Sequence, residues 1–273
     1  MQVPPLSLAD VVTNWSHVYP RGVSLGRLRA VTLRAMRRVA NERELLDGPL
    51  DEPTLRGNLR DLRRVNRWLG GADLSWRAVN NVLQSIPPPK TVRLLDIGTG
   101  GGEIPVELAL RARRASRRME IVATEIRPEI VSVAAETTRG VAEVVARLAE
   151  SDLSTEETSS FDIVHASLVI HHLDPDEAGA LLAAMARVTR SVVLVNDLER
   201  GWLWWIGAWL VSHVFTANRY TRHDAPLSVR RAYTADELSR MARAVGLREV
   251  TRRSSTPPYR YVLTFVREGA RNG

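Results

Sequence analysis

One ten-residue segment restricts the fold more than any other part of the sequence. Residues 94–103 read LLDIGTGGGE, an apolar run followed by four glycines within five residues. This order predicts a buried strand, a tight turn and the start of a helix. Glycine allows positive φ and lets a backbone approach a ligand closely. The segment therefore predicts an α/β protein with a ligand site at this turn.

Strands and helices alternate after residue 90. We predict strands at 92–96, 119–124, 161–166 and 191–195, whereas 141–148 fits either a strand or a helix. Helices are predicted after Gly102, from Pro128, over 174–188 and over 234–246, the last two opening with capping boxes. Residues 248–253 and 259–267 are two strands without a helix between them, so they must pair antiparallel. The alternation predicts a mostly parallel, doubly wound sheet.

The first 90 residues are predicted to be a helical cap. One helix is predicted where apolar residues recur at helical spacing: Leu55, Leu59, Leu62, Val65 and Leu69. A second helix (73–85) follows it, and an earlier one (about 25–46) precedes it. Three consecutive prolines at 87–89 form a stiff linker. We predict a cap at 1–90, core at 91–200, insertion at 201–229 and the rest of the core at 230–273.

Composition excludes several kinds of chemistry. The 273 residues include no cysteine, which rules out disulfides, Cys-ligated zinc, Fe–S clusters and thiol nucleophiles. The net charge of +7 comes almost entirely from arginine, a bias that a GC-rich genome also produces. We therefore expect no specific nucleic-acid partner. Residues 1–10 lack a basic run followed by an apolar stretch, so we expect a cytoplasmic protein.

Two acids beside the glycine turn narrow the class of ligand. A dinucleotide fingerprint places its last glycine where this chain has Glu103, and Asp96 precedes the turn. A carboxylate is unfavourable beside a pyrophosphate and suits a cationic ligand with an amino-acid tail. Glu125 ends the second strand, where an acid can accept both ribose hydroxyls. A ligand-free turn, a nicotinamide or flavin site, and a helix-capping role for Glu125 remain alternatives.

The pattern D-x-G-x-G-x-G that starts at Asp96 resembles the S-adenosylmethionine (SAM) loop of class I methyltransferases. Residues 161–173 resemble the "FD-x-V … S-x-V-L-H-H-L" segment of the ubiquinone/menaquinone-biosynthesis type. Four further segments resemble a bacterial subgroup that accompanies type III polyketide synthases: 44–47, 165–168, 196–200 and 220–224. The resemblance implies a Rossmann-like sheet of seven strands with the last strand antiparallel.

The same resemblance implies SAM as cofactor and S-adenosylhomocysteine as product. It assigns Glu125 to the ribose and Asp152 to the adenine amino group, although Asp152 also fits an ordinary surface acid. The implied cofactor contacts are Asp96, Gly98, Thr99, Gly100, Gly102, Glu125, Ile126, Asp152, Leu153 and Ser167.

For the acceptor, the resemblance implies O-methylation of a phenolic or polyketide-lipid hydroxyl. His171 or His172 would remove its proton, since imidazole titrates near neutral pH; alternatively both cap a helix or line the cofactor pocket. No metal is expected, because Ala166 and Ser167 bring no acid to the strand end for a catechol-type magnesium site. Carbon methylation of a quinone or polyketide ring and a non-catalytic scaffold are the alternatives.

The segment 201–218 contains four tryptophans and no acid, Arg or Lys. Its flanks belong to one sheet, so it does not span a membrane. We expect either a lid over an apolar acceptor, with Trp202 and Trp205 on the substrate, or an interfacial helix at 202–215. The polar residues 219–233 are predicted to be a loop, in which Tyr220, Arg222 and His223 contact or deprotonate the acceptor; a solvated loop is the alternative. The oligomeric state is not predicted.

Overall fold

The sheet predicted from the sequence is present with seven strands. The structure is a computed structural model that describes residues 36–68 and 70–268. The strand order is β3-β2-β1-β4-β5-β7-β6. The strands are β1 (Val92–Ile97), β2 (Met119–Glu125), β3 (Val144–Leu148), β4 (Phe161–Ser167), β5 (Thr189–Leu198), β6 (Leu247–Ser254) and β7 (Arg260–Arg267). Neighbours from β3 to β5 are parallel, and β7 is antiparallel to both β5 and β6.

Eight α-helices in the described residues surround this sheet. They are α1 (Glu52–Trp68), α2 (Gly71–Ser85), α3 (Glu103–Arg114), α4 (Pro128–Thr138), α5 (Pro175–Val188), α6 (Trp202–Phe215), α7 (Arg219–Arg231) and α8 (Ala235–Ala244). The predicted capping boxes are present at the start of α5 and α8, at Asp174 with Glu177 and at Thr234 with Glu237.

Alternate side chains of each central strand enter different hydrophobic clusters. On β1, Leu95 packs with α5 and α8, whereas Leu94 packs with α2 and α3. Continuous apolar runs are typical of parallel strands that helices cover on both faces. With both faces covered, the carboxyl ends of the strands form the accessible edge. The chain order reverses between β1 and β4, and ligands bind at such switch points.

Helix α1 packs away from the sheet, on α4. Leu55 and Leu59 share a small cluster with Ile130. Leu69, the last residue of the predicted apolar pattern, lies outside the described residues. Because α2 shares its hydrophobic cluster with β1, the helical segment and the core are in direct contact. The division of the chain into four parts stays a prediction.

Two predicted segments have a different structure. Residues 36–44 are not helical, and only a single 3-10 turn follows at Leu45–Asp47; residues 25–35 of the predicted helix lie outside the described part. The reason is tertiary: the N–H groups of Leu45 and Leu46 donate to the Asp224 carboxylate, at 2.8 and 3.0 Å.

The predicted polar loop at 219–233 is instead helix α7. The Asn218 side chain caps it by accepting from the N–H of Tyr220 at 3.0 Å, and Leu227 and Val229 bury its inner face. The ambiguous segment 141–148 contains strand β3.

The tryptophan-rich segment is helix α6. Across residues 36–68 and 70–268, no helix combines the length and the apolarity that crossing a membrane requires. Several large apolar side chains of α6 are exposed, among them Ile206, Leu210 and Val214.

Candidate active site

The glycine turn after β1 has the backbone geometry that its sequence predicted. Gly98, Gly100 and Gly102 have φ values of 62°, 55° and 82°. A Cβ at Gly98 would lie 2.6 Å from Cγ2 of Val169, whereas a Cβ at Gly100 would have no atom within 4 Å. Gly98 is thus needed for packing within the protein, and the backbone at Gly100 borders open space.

Thr99 shows that the turn is built for a ligand. Its hydroxyl oxygen is buried and has no hydrogen-bond partner, although the residue lines the cavity described below. Buried polar groups in folded proteins are nearly always hydrogen-bonded. A ligand with polar groups, such as the expected cofactor, fits this turn.

Glu125 lies where a ribose-binding acid is expected, at the carboxyl end of β2. Its carboxylate accepts from the N–H of Ile126 at 2.8 Å and from the N–H of Gly100 at 3.3 Å. Burial raises the pKa of the Glu125 carboxyl, and the two backbone donors oppose that rise only in part. The neighbouring Ile126 is exposed and also lines the cavity.

Asp152, Leu153 and Ser167 complete the cofactor side of the cavity. Asp152 is exposed and accepts from the N–H of Ser154 at 2.9 Å, a bond that lowers the pKa of its carboxyl. Leu153 is buried with a φ of 55°, and Leu168, directly after Ser167, has a φ of 59°. Such values are rare for leucine and tend to cluster at functional sites.

Asp96 differs from its predicted role. Its side chain is buried behind the turn and does not line the cavity; its Oδ1 lies 2.6 Å from Nδ1 of His165. Nε2 of His165 lies 2.9 Å from the Ser75 hydroxyl, which also accepts from the side chain of Asn196. Asp96 stabilises the loop from within rather than contacting the cofactor.

Arg260 links this buried network to the cavity. Its guanidinium donates to Asn196 at 2.5 Å, to Asn66 at 2.9 Å and to the Ser167 hydroxyl at 2.8 Å. Burial lowers the pKa of Arg260 to about 10, and the charge of Asp197 opposes that change. The sequence analysis did not identify Arg260, which lies on the antiparallel strand β7.

Glu103, which the sequence analysis named without assigning it a cofactor contact, faces the cavity at the start of α3. A Cβ at Gly101 would lie 2.6 Å from both carboxylate oxygens of Glu103, so this carboxylate lies directly against the glycine turn. Burial raises the pKa of its carboxyl. Glu103 therefore has the position in which an acid was expected to face a cationic amino-acid tail.

A single cavity of about 1190 Å³ connects the turn to an apolar chamber. Cavities for one drug-sized ligand measure about 300–1000 Å³, so this cavity is larger than that range. The chamber lies between α1 and α6, and its apolar walls include Leu59, Leu62, Trp204, Val211 and Phe215. The arrangement places the glycine turn and an apolar chamber side by side.

One wall of the chamber is polar, and we call Glu44, Asp47, His171 and His172 the histidine–carboxylate cluster. All four line the cavity. Nδ1 of His171 lies 2.7 Å from Oδ1 of Asp197, and its Nε2 lies 3.7 Å from Glu44. Nδ1 of His172 lies 3.2 Å from Asp47. Glu44 precedes the 3-10 turn at residues 45–47 and Asp47 ends it; neither acid had a predicted individual role.

The environment of His172 disfavours its predicted role as a base. Burial acts to lower its pKa, but the carboxylates of Glu44 and Asp47 outweigh burial and raise the pKa to about 9. In His171, by contrast, Asp197 occupies Nδ1 and leaves Nε2 on the cavity side.

Donor atoms of Glu44, His171 and His172 lie within 4.8 Å of one another, close enough to hold a metal ion. The prediction of no metal rested on the residues at the end of β4 alone. Glu44 joins the histidines through tertiary structure alone.

Helix α6 contributes to the chamber, although not through the predicted tryptophans. Trp204 lines the cavity, with Gly207, Ala208 and Val211 on the same face. Trp202 and Trp205 do not line it; they pack on each other edge to face, at 5.9 Å between ring centroids. Trp204 therefore replaces them as the tryptophan at the acceptor site.

The other predicted acceptor contacts also lie outside the cavity walls. Arg222 donates to the backbone carbonyls of Thr216 and His213, and Tyr220 lies under the guanidinium of Arg219. His223 is half-exposed, with Nδ1 2.8 Å from Asp224. The helical structure of α7 explains this outcome, because it turns these side chains away while Asp224 and Ser228 face the cavity.

Comparison with known proteins agrees with this geometry. Residues 94–191 match a family model described as a methyltransferase domain, and no curated protein sequence matches the chain. The fold is similar to that of a SAM-dependent methyltransferase from Aquifex aeolicus, at 15% identity, 80% coverage of this chain, 98% of that chain and a TM-score of 0.53. An O-methyltransferase family 2 protein from Planctomyces limnophilus has 16% identity and a TM-score of 0.59, with coverage of 81% of this chain and 63% of that chain. The citrinin polyketide synthase CMeT domain has 11% identity and a TM-score of 0.56, with coverage of 72% of this chain and 52% of that chain.

The structural likenesses give the fold, and the match over residues 94–191 gives the enzyme class. The glycine turn, the partnerless Thr99 hydroxyl and the acid at the end of β2 agree with both. Residues 94–191 therefore match a methyltransferase domain, for which SAM is the cofactor, on a fold that SAM-dependent methyltransferases share.

Proposed function

We propose that this protein transfers a methyl group from SAM to a hydroxyl of a small apolar or aromatic molecule. The observation that carries the proposal is the single cavity that joins the glycine turn to an apolar chamber with one polar wall. SAM, when bound, supplies a methyl group that is already activated on a sulfonium. The protein contributes mainly by positioning the acceptor and excluding water.

The cofactor half of the cavity assigns a role to each polar group. Glu125 would hold the ribose hydroxyls and Asp152 the adenine amino group, as the resemblance implies. Thr99 would donate or accept through its free hydroxyl. We replace Asp96 with Glu103 as the acid that faces the cationic amino-acid tail, because only Glu103 lines the cavity.

The acceptor half indicates a largely apolar substrate. The walls between α1 and α6 favour rings and alkyl chains, and the histidine–carboxylate cluster supplies a polar surface for one hydroxyl. His171 and His172 thus stay candidates for the acceptor side, whereas His223 does not line the cavity. The resemblance to the subgroup that accompanies type III polyketide synthases supports a phenolic or polyketide-lipid acceptor. The structure from Planctomyces limnophilus is described as a complex with apigenin.

Carbon methylation is the second candidate. The likeness to a polyketide synthase CMeT domain supports it. A carbon acceptor would leave the polar wall without a hydroxyl partner, so we favour oxygen. The position of the new methyl group in the product, read by NMR, separates the two reactions.

The first experiment is isothermal titration of the purified chain with SAM and S-adenosylhomocysteine. We expect micromolar binding of both. Incubation with SAM and a panel of phenols, resorcinols and quinols should then give a product heavier by one methyl group in the mass spectrum. A folded chain that binds neither SAM nor its product would contradict the proposal and favour a non-catalytic scaffold.

We further propose that the outer face of α6 contacts an anionic membrane surface. Trp202, Ile206, Leu210 and Val214 are exposed on a helix without Asp, Glu, Lys or Arg, and basic residues follow at the start of α7. Exposed apolar side chains bind bilayers by burial, and basic neighbours add attraction to anionic lipids. Flotation with phosphatidylserine vesicles should carry the wild type and lose the Ile206→Ser/Leu210→Ser variant. Wild type that stays at the bottom would contradict this contact.

A further inference from the structure

We propose that Glu44, His171 and His172, with Asp47 beside them, form a binding site for one divalent transition-metal ion in the acceptor half of the cavity. The site itself is independent of the proposed acceptor, and only its catalytic use rests on the proposed function. The donors come from two short turns, residues 45–47 and 170–172, that meet below α7.

The distances between donor atoms fit a shared ion better than they fit direct bonds. Nε2 of His171 lies 3.7 Å from Oε1 of Glu44, and Nδ1 of His172 lies 3.9 Å from Oε2. Both separations exceed the usual hydrogen-bond range of about 2.7–3.2 Å. Two ligands of one tetrahedral zinc ion lie roughly 3.4 Å apart, given metal–ligand bonds of about 2.0–2.2 Å. The pair of His172 and Asp47, at 3.2 Å, is instead within hydrogen-bond range.

The supporting contacts are those that metal sites use. Asp197 is buried and holds Nδ1 of His171, which fixes the ring and presents Nε2 to Glu44. Ligating histidines almost always have such a carboxylate or carbonyl on the second nitrogen. Glu44 is 5% exposed, and the Ser228 hydroxyl donates to its Oε1 at 2.7 Å. Asp197 thus orients His171, and Ser228 orients Glu44.

Carboxylates and guanidinium groups both surround the cluster. Four carboxylates meet there: Glu44, Asp47, Asp197 and Asp224. Arg231 binds the carbonyls of His171 and His172, Arg38 binds that of Leu173, and Arg127 binds that of Leu46. These guanidinium groups donate to backbone carbonyls and not to the carboxylates of Glu44 and Asp47.

The donor set also indicates the kind of metal. Two imidazole nitrogens with one or two carboxylates suit Zn²⁺, Mn²⁺, Fe²⁺ or Co²⁺, whereas Mg²⁺ prefers oxygen ligands alone. Three protein ligands that face a cavity leave a coordination position open, which is typical of catalytic rather than structural sites. An acceptor hydroxyl on the ion would ionise more easily, because a metal lowers the pKa of a bound O–H group.

The test is metal binding to the full chain, measured without any acceptor. The protein is dialysed against a chelator, then equilibrated with Zn²⁺, and the bound metal is counted by mass spectrometry. Co²⁺ replaces Zn²⁺ in a parallel sample, whose visible absorption reports four-coordinate nitrogen and oxygen ligands. We expect one ion per chain in the wild type.

Two variants locate the site, and a third controls for it. Glu44→Gln and His172→Asn should each weaken Zn²⁺ binding by about 100-fold or more, because even supporting residues of metal sites contribute about 10–100-fold. His213→Asn, on α6 and away from the cluster, should bind as the wild type does. SAM titration confirms that each variant is folded.

Wild type without a bound ion, or unchanged binding in both cluster variants, would overturn the inference. The proposed function fails separately. A chain that binds the ion as expected but methylates no acceptor contradicts only the proposed function. A chain that binds no Zn²⁺ after equilibration but methylates an acceptor contradicts only the metal site.

Discussion

Two glycines of the same turn should respond differently to the same added methyl group. Gly98 and Gly100 have similar φ values, 62° and 55°. Alanine at either position carries the cost of a left-handed L-residue, about 1–2 kcal/mol. At Gly98 the new Cβ would also lie 2.6 Å from Val169, whereas at Gly100 it would enter open space. Overpacking of this kind costs about 1–3 kcal/mol.

We therefore expect Gly98→Ala to lower the free energy of unfolding by about 2–5 kcal/mol and Gly100→Ala by about 1–2 kcal/mol. Urea unfolding of the SAM-free protein measures both values. SAM affinity should show a second difference. The space above Gly100 is the space that the cofactor is proposed to fill, so Gly100→Ala should weaken SAM binding by at least about tenfold, or roughly 1.4 kcal/mol.

The double variant Gly98→Ala/Val169→Ala tests the cause. Shortening Val169 removes the atoms that the new Cβ meets, so the two changes together should cost less than the sum of the single changes. Equal destabilisation by Gly98→Ala and Gly100→Ala, or strictly additive costs in the double variant, would refute the contact with Val169. Unchanged SAM affinity in Gly100→Ala would refute the placement of the cofactor.

Three further variants test the polar groups around the cofactor. Burial raises the pKa of Glu125, so its ionised form destabilises the folded state above that pKa. Glu125→Gln should raise the SAM-free unfolding free energy at pH 7 and lose that gain as the pH falls below the raised pKa, while calorimetry shows at least about tenfold weaker SAM binding. Thr99→Val removes a partnerless buried hydroxyl and should stabilise the SAM-free protein by about 1 kcal/mol while weakening SAM binding about 2–10-fold by titration. Arg260→Met leaves Asn196, Asn66 and Ser167 without their shared donor and should cost more than about 3 kcal/mol in urea unfolding.

The sequence was sufficient where the physical cause is local. The glycines of the turn, the apolar run of β1 and the capping box at Asp174 each act within a few residues, and the structure contains all three. Strand β3 was ambiguous because only its first residue, Val144, is fully buried, and such an edge strand lacks a continuous apolar run.

The pairing of Asp96 with His165 has a cause that the sequence partly contains. Asp96 and His165 are polar residues near the ends of two apolar strands, and the parallel register of β1 and β4 places them side by side. A buried acid beside a buried imidazole forms a pair instead of facing solvent or ligand. Comparing polar positions between predicted neighbouring strands would have indicated this pairing.

Helix α6 shows a limit of hydrophobic patterns. Trp204, Gly207, Ala208 and Val211 form a stripe at helical spacing that faces the cavity. Every face of this helix is apolar, however, so periodicity does not distinguish the stripe from the exposed side at Ile206 and Leu210. Only the position of α1 across the chamber determines which tryptophan meets the acceptor.

The histidine–carboxylate cluster depends on still longer-range structure. His171 and His172 follow β4, so the sheet places them at the cofactor edge, as the sequence predicted. Glu44 reaches them because α7 is a helix: Asp224 holds the backbone of residues 45–46, and Ser228, one turn later, holds the Glu44 carboxylate. A loop at 219–233, as predicted, would not present those two side chains on one face at a spacing of four residues. Because residues 219–233 were predicted to be a loop, the sequence did not indicate that Glu44 and Asp47 lie beside the histidines. The donor set of the proposed metal site could therefore not be predicted.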